Sequence, residues 1–479
     1  MNNRKDFLYQ QLADKIETMI INGTYSTGDK LPSVRSLHAE HGISISTALQ
    51  VYVHLERKGW VEAREKSGYY VSYSRQQLPQ LPEISAPSRT AALVKVSERV
   101  SLVRHTVAIK GIVSLIGASP HISLLPVAKL NKALRQAARE EKNAYIPYGD
   151  IDGHLPLRRH IARLSLAWGG SVAAEDITVT NGAIEAATIC LRAVAKAGDT
   201  IAIESPTFVG LLQSIENLGM KALEIPTDPV TGICLEQLET TFRKRKVAAC
   251  LIISNYNNPL GSCMPDHHKQ QLARLIEQYQ VPLIEDDAYG DLHFNAERPR
   301  TIKSYDRTDL VLYCSSFSKS IAAGLRIGWI INRRYHEQLA RLKFMSSAST
   351  GLLPQLVLTR FLDQQRMDLH LKPLRQALRT QQAQISRAIQ QYFPADTRLT
   401  RPEGGLSLWV VLPPKVDGWE VHRRALQQQI AFTPGSLFSS QQQYNNCLRL
   451  SNANPFDDDQ HWAIQTLGKL IRQQLDGRR

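Results

Sequence analysis

The sequence predicts an α/β chain of two unlike parts. Signals for helix, helix, turn, helix and hairpin crowd into the first 75 residues, the order of a winged helix-turn-helix. The remainder alternates apolar strand-like runs with amphipathic stretches, the pattern of a mostly parallel sheet covered by helices. A chain of 479 residues, 43% of them apolar, has material for real cores in more than one domain.

In the first part, Leu8, Leu12, Ile16 and Ile20 recur every four residues between Phe7 and Asn22, giving a first helix one apolar stripe. Asn22-Gly23 ends it. The turn-rich Gly28-Asp29-Lys30-Leu31-Pro32 leads to Ser33, whose hydroxyl suits the N-cap of a short second helix through Ala39. Gly42 turns the chain, and Ser44 opens a third helix that reaches about Lys58. Trp60–Ala63 and Tyr69–Tyr73 read as strands, joined by Glu65-Lys66-Ser67-Gly68 into a hairpin. In such a unit the first turns of the third helix meet the major groove. Ser44, Ser46, Thr47 and Gln50 then face DNA, with Ser33 and Arg35 beside them and Lys66 at the wing tip.

The formal charge of +14 favours polyanionic partners. It is not concentrated in this part: residues 1–75 hold ten Lys and Arg against eight Asp and Glu. A DNA footprint therefore depends on where the charges stand. No run approaches the length of a membrane span. Met1 to Asp6 is polar, with no apolar run behind it, so no secretory leader is predicted. Cys190, Cys234, Cys250, Cys263, Cys314 and Cys447 form no CxxC pair. They predict reduced thiols in the cytoplasm, with neither a zinc site nor a disulfide frame.

Between residues 76 and 110, Pro79, Pro82 and Pro87 lie among Gln and Ser, a linker composition, with some helix expected over Thr90–Val103. Fully extended, a linker of this length spans roughly 100 Å. Beyond it come the strand-like runs Ile177–Thr180, Thr200–Ile203, Cys250–Ile253 and Leu283-Ile284.

The most informative string is Ser315-Ser316-Phe317-Ser318-Lys319, followed by Gly324-Leu325-Arg326-Ile327-Gly328-Trp329. A lysine amine can form a Schiff base with an aldehyde, while hydroxyls and an arginine fork can hold a phosphate. Ile284-Glu285-Asp286-Asp287-Ala288-Tyr289 sets acids at a strand end, where one can pair with a protonated ring nitrogen. Asn258, in Asn255-Tyr256-Asn257-Asn258-Pro259-Leu260-Gly261, and Tyr289 can both hydrogen-bond a phenolic oxygen. Thr180-Asn181-Gly182-Ala183 joins a strand to a helix whose first N–H groups can meet a phosphate. Phe208, after Glu204-Ser205-Pro206-Thr207, can stack on a ring, although taken singly it fits a core position. Arg449, in Leu448-Arg449-Leu450-Ser451, can clamp a carboxylate.

In this order these strings resemble the fold type I, class I aminotransferases over about Ile112 to Leu475. The resemblance implies pyridoxal 5'-phosphate as cofactor and a smaller C-terminal α+β subdomain. It makes Lys319 the Schiff-base lysine and Asp286 the partner of the ring nitrogen. Tyr289 and Asn258 become partners of the phenolic oxygen. Ser316, Ser318 and Arg326, helped by Gly182 and Ala183, become the phosphate ligands. Phe208 takes the stacking role and Arg449 the substrate carboxylate. Tyr148, ahead of Gly153 and Leu157-Arg158, resembles a tyrosine that reaches the partner subunit's phosphate. Ala323, Leu260 and Ile184 stand where relatives often have Pro, Thr and Gln.

The stretch Gly28 to Leu37, with Leu55-Glu56-Arg57-Lys58-Gly59-Trp60 and Gly68-Tyr69-Tyr70-Val71, resembles the GntR-type winged helix. Ile45 stands where many of these carry arginine. The two halves together resemble the MocR subfamily of bacterial regulators. That resemblance implies a winged DNA-binding unit over 1–75, a linker over 76–110 and a cofactor-binding domain over 111–479. It implies a cytoplasmic homodimer on operator DNA that holds the cofactor as an internal aldimine and senses it, or an amine or amino acid bound to it. The competing expectation is a working transaminase with a vestigial DNA-binding unit.

Overall fold

The computed structural model describes residues 8–21, 24–25, 28–57, 60–64, 67–71, 78–106, 111–117, 119–143, 146–244 and 246–477. The winged unit comprises α1 (Leu8–Ile21), α2 (Val34–His41), α3 (Ile45–Arg57), β1 (Val61–Arg64) and β2 (Gly68–Val71). Three residues of the stripe read from the sequence lie in its core, while Leu8, at the start of α1, is 54% exposed. Leu12, Ile16 and Ile20 pack with Leu37, Val51, Tyr52 and Leu55. The hairpin pairs Val61 with Val71 in antiparallel register, and Tyr69 stacks on Tyr52 at 4.4 Å, tying the wing to α3. Ser33 caps α2 by accepting the Ser36 N–H, and Gly42 ends that helix in the left-handed region at φ +61°.

The large part is built on a nine-stranded sheet. Among the described residues, eight of its strands run in the spatial order Ala92–Leu93, Lys221–Asp228, Thr200–Ser205, Ala249–Ile252, Leu283–Asp286, Val311–Ser316, Gly328–Ile331 and Ile177–Thr180, and the ninth, Gly232–Ile233, pairs off this path with Lys221–Asp228. The central pairings are parallel, and Gly328–Ile331 runs antiparallel to both of its neighbours. Helices cover both faces, so strands such as Ala249–Ile252 are buried at every position. Thr200–Ser205 and Leu283–Asp286 each extend two residues past their apolar cores, carrying acids inward.

A smaller antiparallel sheet combines Arg398–Leu399, Ser407–Val411, Cys447–Ser451 and Thr433–Pro434. Helices Met367–Tyr392 and Asp458–Leu475 pack on it around Leu408, Val410, Leu448 and Leu450.

The segment of linker composition is docked along the large part for most of its described length. Ser85 exchanges two hydrogen bonds with Thr227, and Arg398 pairs with Glu83 at 2.6 Å. Ala92–Leu93 adds a strand to the sheet edge. The helix lies at Ser97–Thr106, later than the proline-rich composition suggested. Glu216 sets its start by accepting the N–H groups of Val96 and Ser97 and the Ser97 hydroxyl. The docked strap replaces the picture of a freely extended spacer.

Candidate functional site

The parallel strands deliver their C-terminal ends to one crevice, the usual place for a ligand in such sheets. Leu283–Asp286 ends in the acids. Asp286 Oδ1 accepts the Ala288 N–H at 3.0 Å, and no hydrogen bond to its other oxygen is found among the described residues. Burial pushes this carboxyl up to about 6; the Ala288 N–H opposes that, Asp287 adds to it and Lys319 pulls it back. Its neighbours face the other side of the strand. Glu285 accepts from Ser254 and from the Ile302 and Lys303 N–H groups. Asp287 is bound by Asn255, Tyr313 and Arg298.

Lys319 sits on a π-helical turn, Ser318–Ala322, after the strand Val311–Ser316. Its ammonium lies 5.6 Å from the centroid of the Tyr289 ring. The Tyr289 hydroxyl accepts from Asn258 Nδ2 at 3.2 Å, and Ser407 donates to Asn258 Oδ1 at 3.4 Å. Two of the three groups assigned to a phenolic oxygen and an aldehyde carbon are thus bonded to each other, with the third above the ring.

On the opposite wall, Gly182 at φ +89° is the N-cap of helix Ala183–Val194. Arg326, itself left-handed at φ +56°, donates from Nη2 to the Asn181 carbonyl at 2.9 Å. A Cβ at Gly182 would lie 2.5 Å from that nitrogen, and one at Gly328 would lie 2.5 Å from the Gly182 carbonyl carbon. The cradle therefore needs glycine at both positions. Ser316 and Ser318 are buried at its base. Phe208 starts helix Val209–Asn217, its ring over Gly210 beside Ile184.

Arg449 lies on the strand Cys447–Ser451. Its guanidinium donates to the Ile116 carbonyl at 2.8 Å and to Thr433 Oγ1 at 3.2 Å, while buried Nε has no hydrogen-bond partner. Burial lowers it to about 10, with Tyr289 opposing. A buried cation with an unused donor and no carboxylate partner among the described residues fits an anionic ligand.

Tyr148 departs from this gathering. It is 89% exposed. Sequence reasoning also missed three groups. Glu204 is buried and pushed up to about 8 by burial; the Ile253 N–H and Asn257 oppose the rise, and the charge of Asp286 adds to it. Glu185 and Lys343 form a pair behind the Gly182 turn. The spacing of Glu185 after Asn181-Gly182 was a legible capping signal. Lys343, in a helix of mixed polarity, carried none.

On the winged unit, Ser44, Ser46, Gln50 and Arg35 are exposed and Thr47 is half-buried. Ser44 is also the cap of α3: it accepts the Thr47 N–H at 3.0 Å and lies 2.8 Å from the Ser46 and Thr47 hydroxyls. Ile45 projects outward, 55% exposed. Lys66 lies outside the described residues.

Comparison with known proteins agrees with this anatomy. The aminotransferase class I and II family matches residues 120–467, and the gntR family of bacterial regulatory proteins matches residues 8–71. The chain belongs to the class I and II aminotransferase family in its large part and carries a GntR-type DNA-binding unit, the MocR-type architecture. It is 36% identical to the HTH-type transcriptional regulator YjiR of Escherichia coli, over 98% of this chain and 99% of the relative. It is thus a transcription regulator with an aminotransferase-like domain.

Among solved structures it is similar to the Pyrococcus horikoshii kynurenine aminotransferase in complex with PMP, at TM-score 0.74 and 26% identity. That match covers 80% of this chain and 95% of the other. It is also similar to LysN, the α-aminoadipate aminotransferase of Thermus thermophilus complexed with N-(5'-phosphopyridoxyl)-L-leucine. The TM-score there is 0.73 at 26% identity, over 78% and 95% of the two chains.

Proposed function

We propose that the large domain, over 111–479, binds pyridoxal 5'-phosphate covalently through Lys319, and that the cofactor or an amine or amino acid joined to it sets the affinity of the winged unit, over 1–75, for operator DNA. One observation carries this reading: Lys319 stands over Tyr289, which is bonded to Asn258, while Asp286 keeps an oxygen for a ring nitrogen. The donor set fits the group. Gly182, Ala183, Arg326, Ser316 and Ser318 would hold the phosphate, Phe208 would stack on the ring, and Arg449 would take a carboxylate. When bound, the cofactor supplies an electrophilic aldehyde and an electron-accepting ring. Asp286, a carboxyl already raised by burial, gains a cationic partner in the ring nitrogen.

The assembly in this reading is a cytoplasmic homodimer. Exposed Tyr148 then reaches the partner subunit's phosphate, and two winged units grip two half-sites. Ser44, Ser46, Thr47, Gln50, Arg35, Ser33 and Lys66 meet the DNA. A ligand changes DNA affinity only if it binds the two conformations unequally.

The test is a gel shift on the DNA upstream of the protein's own gene, with and without pyridoxal phosphate, beside an absorbance titration. Lys319→Ala should lose the yellow band that borohydride bleaches, and with it the ligand response. A variant that keeps the response overturns covalent sensing. The spare donor of buried Arg449 favours a second reading, transamination of carboxylate substrates, and turnover of amino and keto acids tests it.

A further inference from the structure

We propose that Glu185 and Lys343 form a charge-neutral clamp that presets the phosphate-facing turn, so that Arg326 meets an incoming phosphate with its positive charge uncancelled. The inference rests on the reading that this turn receives the cofactor's phosphate.

Asn181 is held at both of its backbone groups. Its carbonyl accepts from Arg326 Nη2 at 2.9 Å, and its N–H donates to Glu185 Oε2. Glu185 also accepts the Asn181 side-chain amide at 3.2 Å. The residue just before the cap Gly182 is therefore fixed between two charged groups, at the entrance to helix Ala183–Val194. Arg326 is oriented through the same residue.

A carboxylate in the first turn of a helix is ordinarily favourable. Here it is a liability, because the same helix end is where a phosphate dianion must sit. Lys343 removes it. Its ammonium, fully buried, donates to Glu185 Oε2 at 2.9 Å and to Ser347 Oγ at 2.6 Å, and Ser347 donates to Glu185 Oε1 at 2.8 Å. Burial pushes the Glu185 carboxyl up, but the Asn181 N–H and Lys343 outweigh it and hold the carboxyl below its ordinary range. The carboxylate stays ionised to grip the turn, while the ammonium behind it hides its charge from the phosphate. Both act through the turn and Arg326, so they are positioning residues.

The experiment compares pyridoxal phosphate with pyridoxal, which has the aldehyde and no phosphate. Affinities of the full-length protein are read from the absorbance of the Lys319 adduct, with inorganic phosphate as competitor. Lys343→Met leaves Glu185 uncompensated. It should weaken pyridoxal phosphate and inorganic phosphate about tenfold or more and leave pyridoxal unchanged. Glu185→Gln/Lys343→Met keeps an acceptor for Asn181 and removes both charges; it should return to within about threefold of wild type. Glu185→Gln alone should keep wild-type affinity for phosphate or improve it.

Equal loss for pyridoxal, a double variant no better than Lys343→Met, or weakened phosphate binding in Glu185→Gln would overturn the clamp. Wild-type protein that forms no adduct with either aldehyde overturns the cofactor reading and this inference together. An adduct with no phosphate-specific change in the variants overturns the inference alone.

Discussion

Arg449→Met should leave the unliganded protein as stable as wild type or more so, while removing its discrimination for carboxylates. Arg449 is 6% exposed, and its guanidinium keeps one donor idle and faces no carboxylate among the described residues. Burial lowers it from the ordinary arginine value to about 10. At about 1.4 kcal/mol per pH unit, that fall is about 3 kcal/mol of burial cost carried by the charged form. Removing the group leaves the Ile116 carbonyl and the Thr433 hydroxyl each without one donor, at about 1 kcal/mol apiece. Methionine keeps most of the apolar stem beside Phe438. The balance is a gain of about 1 kcal/mol, the difference of those two costs. Removing one half of a buried ion pair usually costs about 3–5 kcal/mol because its partner is stranded; here no opposite charge is stranded. Urea unfolding of the cofactor-free protein measures the first effect. The spectral response of the cofactor-loaded protein to an amino acid and to its decarboxylated amine measures the second. A loss of about 3 kcal/mol or more would refute the account of the burial cost. An undiminished preference for the amino acid over the amine would refute the carboxylate assignment.

Glu204→Gln tests the buried acid. A carboxyl raised from 4.5 to about 8 favours the fold below pH 4.5, and that contribution is lost as pH climbs through 8. Relative to the variant, wild type should therefore lose on the order of 3 kcal/mol between about pH 5 and pH 8 in urea midpoints. A pH-independent difference would place the proton elsewhere. Gly182→Ala drives a Cβ to 2.5 Å from Arg326 Nη2 and should weaken pyridoxal phosphate about tenfold or more. Gly324→Ala meets nothing within 4 Å and should bind normally, so equal effects would refute the cradle. Ile45→Arg places a cation at the exposed start of α3. It should tighten DNA binding and steepen the salt dependence by about one counterion per winged unit, seen as gel-shift affinity against salt concentration.

The winged unit was legible because local chemistry fixes it. The four-residue stripe of α1, the Ser33 cap and the Gly68 turn each satisfy a local demand, and the observed elements begin and end within a few residues of the expected ones. The strap was not legible. Prolines and serines lack a period, so the segment read as a spacer. Its fixed course comes from distant groups: Thr227 bonds Ser85, and Glu216 gathers three donors at the start of helix Ser97–Thr106. Partners 119 to 142 residues away leave no mark in a local window. Lys343 was invisible for the same reason, since its partner lies 158 residues earlier.

At the site, the residue types were legible and their division of labour came from geometry. Glu285, Asp286 and Asp287 are chemically similar, and any of them could answer a cationic ring nitrogen. Alternation along a strand separates them, sending the first and third to one face and the second to the other. The outer two are then consumed: Glu285 by a hydroxyl and two backbone N–H groups, Asp287 by an amide, a phenol and the Arg298 guanidinium. Among the described residues Asp286 receives a single backbone N–H, and it faces the crevice that holds Lys319. Full satisfaction of its neighbours lets three acids lie side by side in a buried strand end without mutual expulsion. The same satisfaction leaves Asp286 alone with an oxygen that no described residue bonds. A carboxyl under-bonded inside the protein is costly unless a cation arrives. The strand end thus gives up stability to keep one acceptor unused, and a protonated ring nitrogen has the charge and the size to answer it.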